Sequence, residues 1–260
     1  MSEEAASAIL TAEKVSLSFG GVHAVVDVDI TLREREIYAI IGPNGAGKTS
    51  FFNALSGFFY PDAGRVWFRG EEITRVPNYA RVRLGMSRTF QTPSIFPELT
   101  VEENVLIGVQ SHMALAGRFQ ALGKSLRASL DERVDELLGF VDLRRVKRRQ
   151  VAALSHGSQR LVEVATSLSV SPTLILLDEP TAGLAEADTA RVMEVVRDLH
   201  DRLGLTVLFV EHNMRFVAAM AQTVMVMNRG SVLKRGAPAE VLSDPEVREA
   251  YLGSEEIANV

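Results

Sequence analysis

A glycine-rich segment constrains the fold of this chain more than any other feature of its sequence. The segment reads Gly42-Pro43-Asn44-Gly45-Ala46-Gly47-Lys48-Thr49-Ser50. It matches the pattern G-x-x-x-x-G-K-S/T, which is typical of a phosphate-binding P-loop. Residues 36–41 before it form a short apolar run of β-forming residues, and residues 48–55 after it have helix-forming character that ends at Gly57. A P-loop requires this order of strand, loop and helix.

The residue types of this segment suit separate parts of a bound triphosphate. Gly42, Gly45 and Gly47 have no Cβ, so backbone N–H groups can approach the phosphates. Lys48 is expected to reach the β- and γ-phosphates, and the Thr49 hydroxyl is expected to bind Mg²⁺. The alternative is a plain glycine-rich turn, but the Lys-Thr pair and the preceding strand favour a nucleotide site. The other residues expected to line that site are Asn44, Ala46 and Ser50.

Length and composition favour a single cytosolic domain whose metal comes with the nucleotide. The 260 residues, 47% of them hydrophobic, can bury a sizeable core. No apolar run is long enough to span a membrane, and the acidic start Met1-Ser2-Glu3-Glu4 does not resemble a secretory signal. The chain has no cysteine and five scattered histidines, which excludes a thiolate or paired-histidine metal site.

The charge balance argues against a nucleic-acid partner. The formal net charge is −5, whereas proteins that bind nucleic acid present a basic surface. A basic cluster at residues 144–149 is short. We expect it to be a solvated face of a loop or helix end.

Alternation of apolar and polar residues predicts antiparallel β-structure before and after the P-loop. Residues 14–19 and 25–32 alternate on either side of two glycines. A turn at 61–64 then leads into a strand at 65–69. These pieces are typical of hairpins.

Continuous apolar runs later in the chain predict a parallel sheet. Residues 173–177 and 206–210 are almost entirely apolar, as expected of strands buried on both faces. Periodicity predicts a helix before each strand, at 158–169 and 186–203, and the second helix should turn Leu203 inward. This alternation of helix and strand indicates parallel strands with helices on the faces of the sheet.

Residues 92–153 interrupt the β-structure with mainly helical texture. Within them, residues 131–138 place apolar side chains on one stripe, which predicts an amphipathic helix. The predicted fold class is α/β: a P-loop NTPase core with a mainly parallel sheet, an antiparallel β subdomain and an inserted helical subdomain. We expect one domain over residues 8–253, with the helical lobe at 92–153 inserted in it.

Two carboxylates end the first of the predicted parallel strands. Asp178 and Glu179 follow it directly, and ligands of open α/β sheets bind at the carboxyl ends of strands. Asp178 is expected to hold Mg²⁺, directly or through water, and Glu179 to orient and polarise the attacking water. The pair could also be a simple strand-end turn, but the P-loop favours the functional interpretation.

The motifs occur in an order that resembles a known family. Leu154-Ser155-His156-Gly157-Ser158-Gln159 lies between Gln91 and the Asp178-Glu179-Pro180 segment, and His212 follows the next strand. Together with the P-loop, this order resembles the nucleotide-binding subunits of ABC transporters over nearly the whole chain. Longer segments resemble importer ATPases for branched-chain amino acids and related amides. Those segments are residues 88–91, 99–105, 211–214 and 250–253.

The resemblance implies a role for each matching residue. Phe19 matches the aromatic residue that stacks on adenine. Gln91 matches the glutamine that contacts Mg²⁺ or the water and senses the membrane subunit. Glu179 matches the catalytic base, and His212 matches the switch residue at the γ-phosphate. Taken singly, Phe19 would be interpreted as a core aromatic, Gln91 as a loop amide and His212 as a core histidine.

The signature segment matches the family only in part. Ser155 and Gly157 match residues that reach the γ-phosphate held by a second subunit, and Ser155 stands at the start of a predicted helix whose N–H groups attract anions. The common signature is Leu-Ser-Gly-Gly-Gln, whereas His156 and Ser158 occupy its third and fifth positions here. Ala185 stands where the family usually has Asp or Asn, which removes a side chain expected to bridge two subunits.

The resemblance also implies partners and a location. The expected protein dimerises head to tail around ATP and Mg²⁺ with a second ATPase subunit, the same chain or a related one. Integral-membrane permease subunits would supply the transport path, and a solute-binding protein would be an indirect partner. The expected location is cytoplasmic, peripheral on the inner face of the cell membrane.

Two other classes of protein share some of these motifs. One is a soluble ABC-type ATPase of DNA repair or translation, but those proteins usually carry a long coiled-coil insertion or two fused ATPase halves. The other is a different P-loop NTPase, a kinase or a GTPase. A GTPase would need an Asn-Lys-x-Asp motif, which this sequence lacks.

Overall fold

The computed structural model describes residues 8–115 and 124–251 as an α/β fold with two sheets. The strands are β1 (Ala8–Phe19), β2 (Val22–Arg33), β3 (Ile37–Ile41), β4 (Ala63–Phe68), β5 (Glu71–Glu72), β6 (Met86–Arg88), β7 (Leu174–Asp178), β8 (Thr206–Val210), β9 (Thr223–Asn228) and β10 (Ser231–Gly236). The helices are α1 (Lys48–Ser56), α2 (Asn78–Arg83), α3 (Val101–Leu115), α4 (Lys124–Phe140), α5 (His156–Leu168), α6 (Glu186–Asp201), α7 (Met214–Met220), α8 (Pro238–Ser243) and α9 (Pro245–Tyr251). None of the helices in these two ranges combines the length and apolar character that crossing a membrane requires.

A six-stranded sheet forms the centre of the molecule. Its strand order is β10-β9-β3-β8-β7-β6, and every neighbouring pair is parallel except β9 and β10. The strands β3, β7 and β8 are buried along their whole length, because packed elements cover both faces of the sheet. The predicted mainly parallel sheet is therefore confirmed.

Successive side chains of each central strand enter two different cores. In β3, Tyr38 and Ile40 pack with α1 and the antiparallel sheet, whereas Ala39 and Ile41 pack with the helices from α3 onward. This division follows from the two-residue period of a strand, which sends neighbouring side chains to opposite faces. The sheet thus holds the P-loop side and the helical side of the molecule together.

The smaller sheet is antiparallel throughout. Its order is β2-β1-β4-β5. β1 and β2 meet at Gly20-Gly21, both with positive φ (53° and 87°). The predicted antiparallel region near residues 14–32 is confirmed, and both strands extend beyond the predicted bounds.

In the part that the structure describes, the chain between β6 and β7 is mainly helical. It holds α3 and α4, two short 3-10 turns (Arg144–Val146 and Val151–Ala153), and α5. The predicted stripe at 131–138 is present, since Val134, Leu137 and Leu138 are buried. The assignment of residues 92–153 to a lobe includes residues 116–123, which lie outside the described ranges, as do residues 252 and 253 of the expected domain.

Two local predictions differ from the structure. Leu203 was expected on the inner face of a helix at 186–203, but α6 ends at Asp201 and Leu203 is 49% exposed. The chain turns away there through Gly204, which has φ +65°, so the helical periodicity no longer applies. The short strand β6 was not predicted at all, because three residues are too few to show an alternation.

Candidate nucleotide-binding and hydrolysis site

The P-loop connects β3 to α1 in a conformation that only glycine can adopt at two points. Gly42 has φ +152°, and a Cβ there would lie 2.2 Å from the carbonyl oxygen of Met227. Gly47, the N-cap of α1, has φ +95°, and its Cβ would lie 2.2 Å from the carbonyl oxygen of Ala24. Both contacts are with backbone atoms, which cannot move aside like a flexible side chain. The loop is therefore packed tightly against β9 and β2 at the start of a helix, where anions bind well.

Lys48 folds back over the loop that precedes it. Its Nζ donates hydrogen bonds to the carbonyl oxygens of Gly42, at 2.5 Å, and Pro43, at 3.0 Å. Lys48 is buried. These contacts place a cation within the P-loop, where the motif predicts contact with the β- and γ-phosphates.

Asp178 lies at the carboxyl end of β7, at the same edge of the sheet as the P-loop. Its register partner on β8 is Val210, which also pairs with Ile40 of β3. The carboxylate is buried, and its Oδ2 accepts a hydrogen bond of 2.7 Å from a terminal guanidinium nitrogen of Arg88. Burial raises the pKa of Asp178, and the bond to Arg88 opposes that effect.

Gln91, Glu179 and His212 converge beside Asp178. Gln91 Nε2 donates a hydrogen bond of 2.8 Å to Glu179 Oε2, and His212 Nδ1 lies 3.9 Å from the same oxygen. The three residues come from separate segments: Gln91 follows β6, Glu179 follows β7 and His212 follows β8. The structure therefore brings together three side chains that the sequence assigned to catalysis.

The loop that carries His212 is fixed by a buried carboxylate. Glu211 is fully buried, and its Oε1 accepts hydrogen bonds from both the backbone N–H and the hydroxyl of Thr181, at 2.8 and 2.6 Å. Its Oε2 accepts from the backbone N–H groups of the next two residues, His212 and Asn213, at 2.9 and 3.1 Å. Since Thr181 follows Glu179 by two residues, one carboxylate sets the relative position of both catalytic loops.

A second buried ion pair positions the segment that carries Gln91, and the sequence analysis missed it. Arg160 and Glu163 of α5 form a salt bridge of 2.9 Å, with each side chain 4% exposed. Glu163 Oε1 accepts hydrogen bonds from the backbone N–H groups of Phe90, at 2.8 Å, and Ser94, at 3.2 Å. Arg160 donates to the carbonyl oxygens of Phe90 and, at 2.8 Å, of Gln91. No local sequence signal marks this pair except two charges on the inner face of an amphipathic helix.

The signature residues Ser155 and Gly157 lie at the start of α5. Ser155 is the N-cap of α5, and its Oγ accepts a hydrogen bond of 3.3 Å from Ser158 N–H. A Cβ on Gly157 would lie 2.3–2.6 Å from atoms of Asp188, so glycine is required for this packing. The Ser155 hydroxyl also donates weak hydrogen bonds to Ser158 Oγ, at 3.3 Å, and Asp188 Oδ1, at 3.4 Å.

Phe19 is the last residue of β1. It is 44% exposed, and its ring packs edge-on against Phe59 with a centroid distance of 5.3 Å. A partly exposed aromatic ring can stack on a base. The expectation that Phe19 contacts adenine is therefore compatible with its exposure.

The donor groups at this site fit Mg²⁺ and a triphosphate. Mg²⁺ prefers oxygen ligands and keeps several waters, and Asp178, Thr49 and Gln91 offer a carboxylate, a hydroxyl and an amide oxygen. Among the described residues, Asp178 bonds Arg88 through Oδ2, and Gln91 bonds Glu179 through Nε2. One oxygen of each side chain thus remains for a metal or its waters. The described part of the chain contains no cluster of three or more His, Cys, Asp or Glu side chains arranged around a metal.

The chain matches two family models. The model described as ABC transporter matches residues 25–182. The model described as branched-chain amino acid ATP-binding cassette transporter matches residues 235–257.

Curated relatives and solved structures match over nearly the full length. The chain is 36% identical to the high-affinity branched-chain amino acid transport ATP-binding protein LivG of Salmonella typhimurium, covering 94% of this chain and 98% of LivG. It is 33% identical to the lipopolysaccharide export system ATP-binding protein LptB of Haemophilus influenzae, covering 95% and 98%. A crystal structure of an ATP-binding cassette in its ADP conformation is 32% identical, with a TM-score of 0.84 and coverage of 95% and 99%.

Proposed function

This chain belongs to the ATP-binding subunits of ABC transporters, and from that membership we propose that it drives a separate membrane permease for branched-chain amino acids or related amino-acid and amide solutes. Hydrolysis of ATP is the activity of this family. The proposal adds the residue roles, the partners and the solute class.

The observation that carries the catalytic part is the contact of Gln91 and His212 with one carboxylate oxygen of Glu179. A general base must be held within hydrogen-bond reach of the water that it activates. Glu179 is fixed by these neighbours next to Asp178 and the P-loop. We assign it to polarise the attacking water, and we assign Gln91 and His212 to orient that water and the γ-phosphate.

The remaining site residues bind and orient the nucleotide. The P-loop N–H groups and Lys48 hold the phosphates, and Phe19 stacks on the base. Mg²⁺, when bound, neutralises charge on the β- and γ-phosphate oxygens. Asp178, Thr49 and Gln91 are the residues that would hold it.

The exposed signature segment supports a dimer with ATP between the two subunits. Ser155 is exposed at the N-terminus of α5, and a helix N-terminus offers N–H donors and a partial positive charge to an anion. We therefore assign Ser155 and Gly157 to the γ-phosphate held by a second subunit, the same chain or a related one.

A small apolar groove supports a permease contact. A cavity of about 140 Å³ is lined by Phe58, Tyr79, Val82 and Phe90, among others. Phe58 is 42% exposed and Tyr79 66% exposed, and exposed aromatic clusters of this kind mark interaction sites. A short amphipathic helix of a permease would fit such a groove. This contact would hold the subunit on the inner face of the cell membrane, with a solute-binding protein as an indirect partner and no nucleic acid.

The relatives leave two solute classes to weigh. LptB is less similar to this chain than LivG, with 33% against 36% identity. The match of residues 235–257 to the branched-chain amino acid model favours the amino-acid class. A soluble ABC-type ATPase with no transport partner is the remaining alternative.

Amino-acid uptake tests the solute class directly. We expect cells whose only copy of the chain carries Lys48→Ala to lose most of their uptake of labelled leucine, isoleucine and valine, because the P-loop cation is removed. Arg65→Ala, at an exposed position on β4, is the matched loss of a cation and should leave uptake unchanged. Normal branched-chain uptake with Lys48→Ala, while the purified variant has lost ATP hydrolysis, would contradict the solute class but not the ATPase.

A further inference from the structure

Arg88 joins the two halves of the nucleotide site through one buried side chain. It ends β6, directly beside β7 in the parallel sheet. One terminal nitrogen donates to Asp178 Oδ2 at 2.7 Å, and the other donates to Asn53 Oδ1, at 2.7 Å, and Ser56 Oγ, at 2.5 Å. Asn53 and Ser56 belong to α1, the helix that begins at the P-loop lysine. The guanidinium therefore connects the P-loop helix to the strand-end carboxylate.

Three aromatic rings hold the guanidinium in place. Its central carbon lies 4.8 Å from the ring centroid of Phe52, 5.0 Å from that of Phe58 and 5.3 Å from that of Phe90. Arg88 and Asp178 are 8% and 6% exposed at their side chains. Planar stacking and a fixed fork of donors make arginine far more rigid here than lysine would be. The position of Asp178 Oδ2 is consequently set by groups that cannot easily shift.

The bonding of Asp178 leaves one oxygen for a ligand. Oδ2 accepts from Arg88, and within the described ranges Oδ1 makes no hydrogen bond. A carboxylate that binds a metal is commonly oriented by a hydrogen bond to its other oxygen, and losing that partner costs about 10- to 100-fold in metal affinity. In the part of the chain that the structure describes, Oδ1 is therefore the oxygen of Asp178 that is left for a metal or a water molecule.

We propose that Arg88 is a positioning residue for the Mg²⁺ of the nucleotide: it fixes Asp178 through Oδ2 so that Oδ1 faces the metal. The inference rests on the proposed nucleotide site. It assigns a function to a residue that acts on the metal only through another side chain. Arg88 does not touch the nucleotide in this assignment.

Calorimetric titration of the full chain with ADP, in EDTA and in excess Mg²⁺, tests the assignment. We expect Mg²⁺ to tighten ADP binding by the wild type. Arg88→Met keeps an unbranched apolar chain against the three rings but removes the fork. In EDTA, the ADP affinity of this variant should stay within about twofold of the wild-type affinity. In excess Mg²⁺, its ADP affinity should be about tenfold lower than that of the wild type. The ADP affinity of Arg88→Lys in Mg²⁺ should lie between those of the wild type and Arg88→Met, because one ammonium can bond Asp178 but cannot also bond Asn53 and Ser56.

Three results would overturn the proposal. They are an equal loss of ADP affinity for Arg88→Met with and without Mg²⁺, no loss in either condition, and a wild type whose binding does not depend on Mg²⁺. The first of these would show a structural role, because a distorted site binds the nucleotide poorly whether or not the metal is present.

A double variant separates the role of Arg88 from that of Asp178. If Arg88 acts through Asp178, the variant Arg88→Met with Asp178→Asn should lose no more Mg²⁺ dependence than Asp178→Asn alone. A further Mg²⁺-specific loss in the double variant would overturn the proposal. The double variant also avoids a buried, unpaired carboxylate, so it remains informative if Arg88→Met does not fold. Unchanged Mg²⁺ dependence in Asp178→Asn would contradict the metal site itself, which distinguishes the two failures.

Discussion

At the residue scale, Glu179 has an unusual backbone conformation. Its φ is +46°, a left-handed region that costs a non-glycine residue roughly 1–2 kcal/mol. Its N–H donates to Val210 O at 3.0 Å, and its side chain accepts from Gln91 at 2.8 Å. Strain of this kind persists where the surroundings fix a residue, and it is common at catalytic sites. The conformation turns the carboxylate of Glu179 away from the strand axis toward Gln91 and His212.

Replacing this carboxylate by an amide tests its role as a base. We expect Glu179→Gln to bind ATP with wild-type affinity and to hydrolyse it about 10²- to 10⁴-fold more slowly, because the amide keeps the shape but cannot accept a proton. Equilibrium binding and single-turnover hydrolysis measure the two effects separately. Glu186→Gln, at an exposed position in the first turn of α6, is the matched control. Comparable hydrolysis rates for both variants would remove Glu179 from the role of base.

The P-loop and the strand-end carboxylates could be predicted from the sequence because their chemistry is encoded locally. A P-loop is one continuous segment with fixed spacing, and Asp178-Glu179 follows an obvious buried strand. Arg88 and Glu163 could not be predicted, because their partners lie 90 and 73 residues away in the chain. Their function depends on contacts that only the folded chain creates.

At the scale of elements, the helix α5 carries residues of two different parts of the proposed site. Its N-terminus carries Ser155, assigned to the nucleotide of a second subunit, and its inner face carries the Arg160–Glu163 pair that holds the segment of Gln91. A rigid helix transmits a shift at one end to the other. Movement of the signature segment would therefore move Gln91 in the chain's own site.

Breaking this pair in two ways separates its structural and positioning effects. Glu163→Ala leaves Arg160 buried without its partner and should lower the free energy of unfolding by about 3–5 kcal/mol. Arg160→Met combined with Glu163→Gln removes both charges and keeps an acceptor for Phe90 N–H, so most stability should return. The double variant should still hydrolyse ATP at least about tenfold more slowly, because Gln91 O has lost its donor. Urea unfolding measures the effect on stability, and the steady-state ATPase rate measures the effect on catalysis. A double variant with wild-type turnover would refute the positioning role.

The same elements show where periodicity succeeds and fails. The buried strands β7 and β8 were predicted because a continuous apolar run has few other interpretations. Leu203 was placed inward because it continues the period of α6, but a period does not reveal where the helix ends. The end is set by the turn at Gly204 and by the next strand, β8, which is a property of the assembled sheet.

At the scale of the whole molecule, the groove proposed for the permease adjoins the proposed nucleotide site. Phe58 and Phe90 line the cavity of about 140 Å³ and also stack on Arg88. Residues 92–96 continue from Gln91, and Asn104 of α3 bonds both the N–H and the carbonyl of Phe96, at 2.7 and 2.9 Å. A permease segment in this groove would therefore contact residues that are connected to both Gln91 and Asp178.

A charge at position 96 should reduce binding to the permease without reducing ATP hydrolysis by the isolated chain. Phe96 is 55% exposed, so Phe96→Asp should leave the fold and the ATPase rate of the isolated chain within about twofold. We expect it to reduce copurification with the permease, because a charged group would have to be desolvated in the contact. Leu203→Asp, at an exposed leucine in the turn after α6, is the control for a surface charge. Normal copurification of the Phe96 variant would exclude Phe96 from the permease contact.

The weakest point of the expected assembly is the contact between two ATPase subunits. Ala185 is the N-cap of α6 without a side-chain cap, and it replaces a residue expected to bridge the dimer with a net worth of about 0.5–1.5 kcal/mol. We therefore expect the ATPase rate per subunit of the isolated chain to rise with protein concentration, and to lose this dependence when the permease is present. Ala185→Asp should shift the half-maximal concentration down by up to about tenfold. Ala185→Ser restores an N-cap of similar strength without the longer reach of Asp, and should shift it less. A rate independent of concentration in the wild type would show that Ala185 does not weaken the dimer, and equal shifts in both variants would assign the effect to the helix cap.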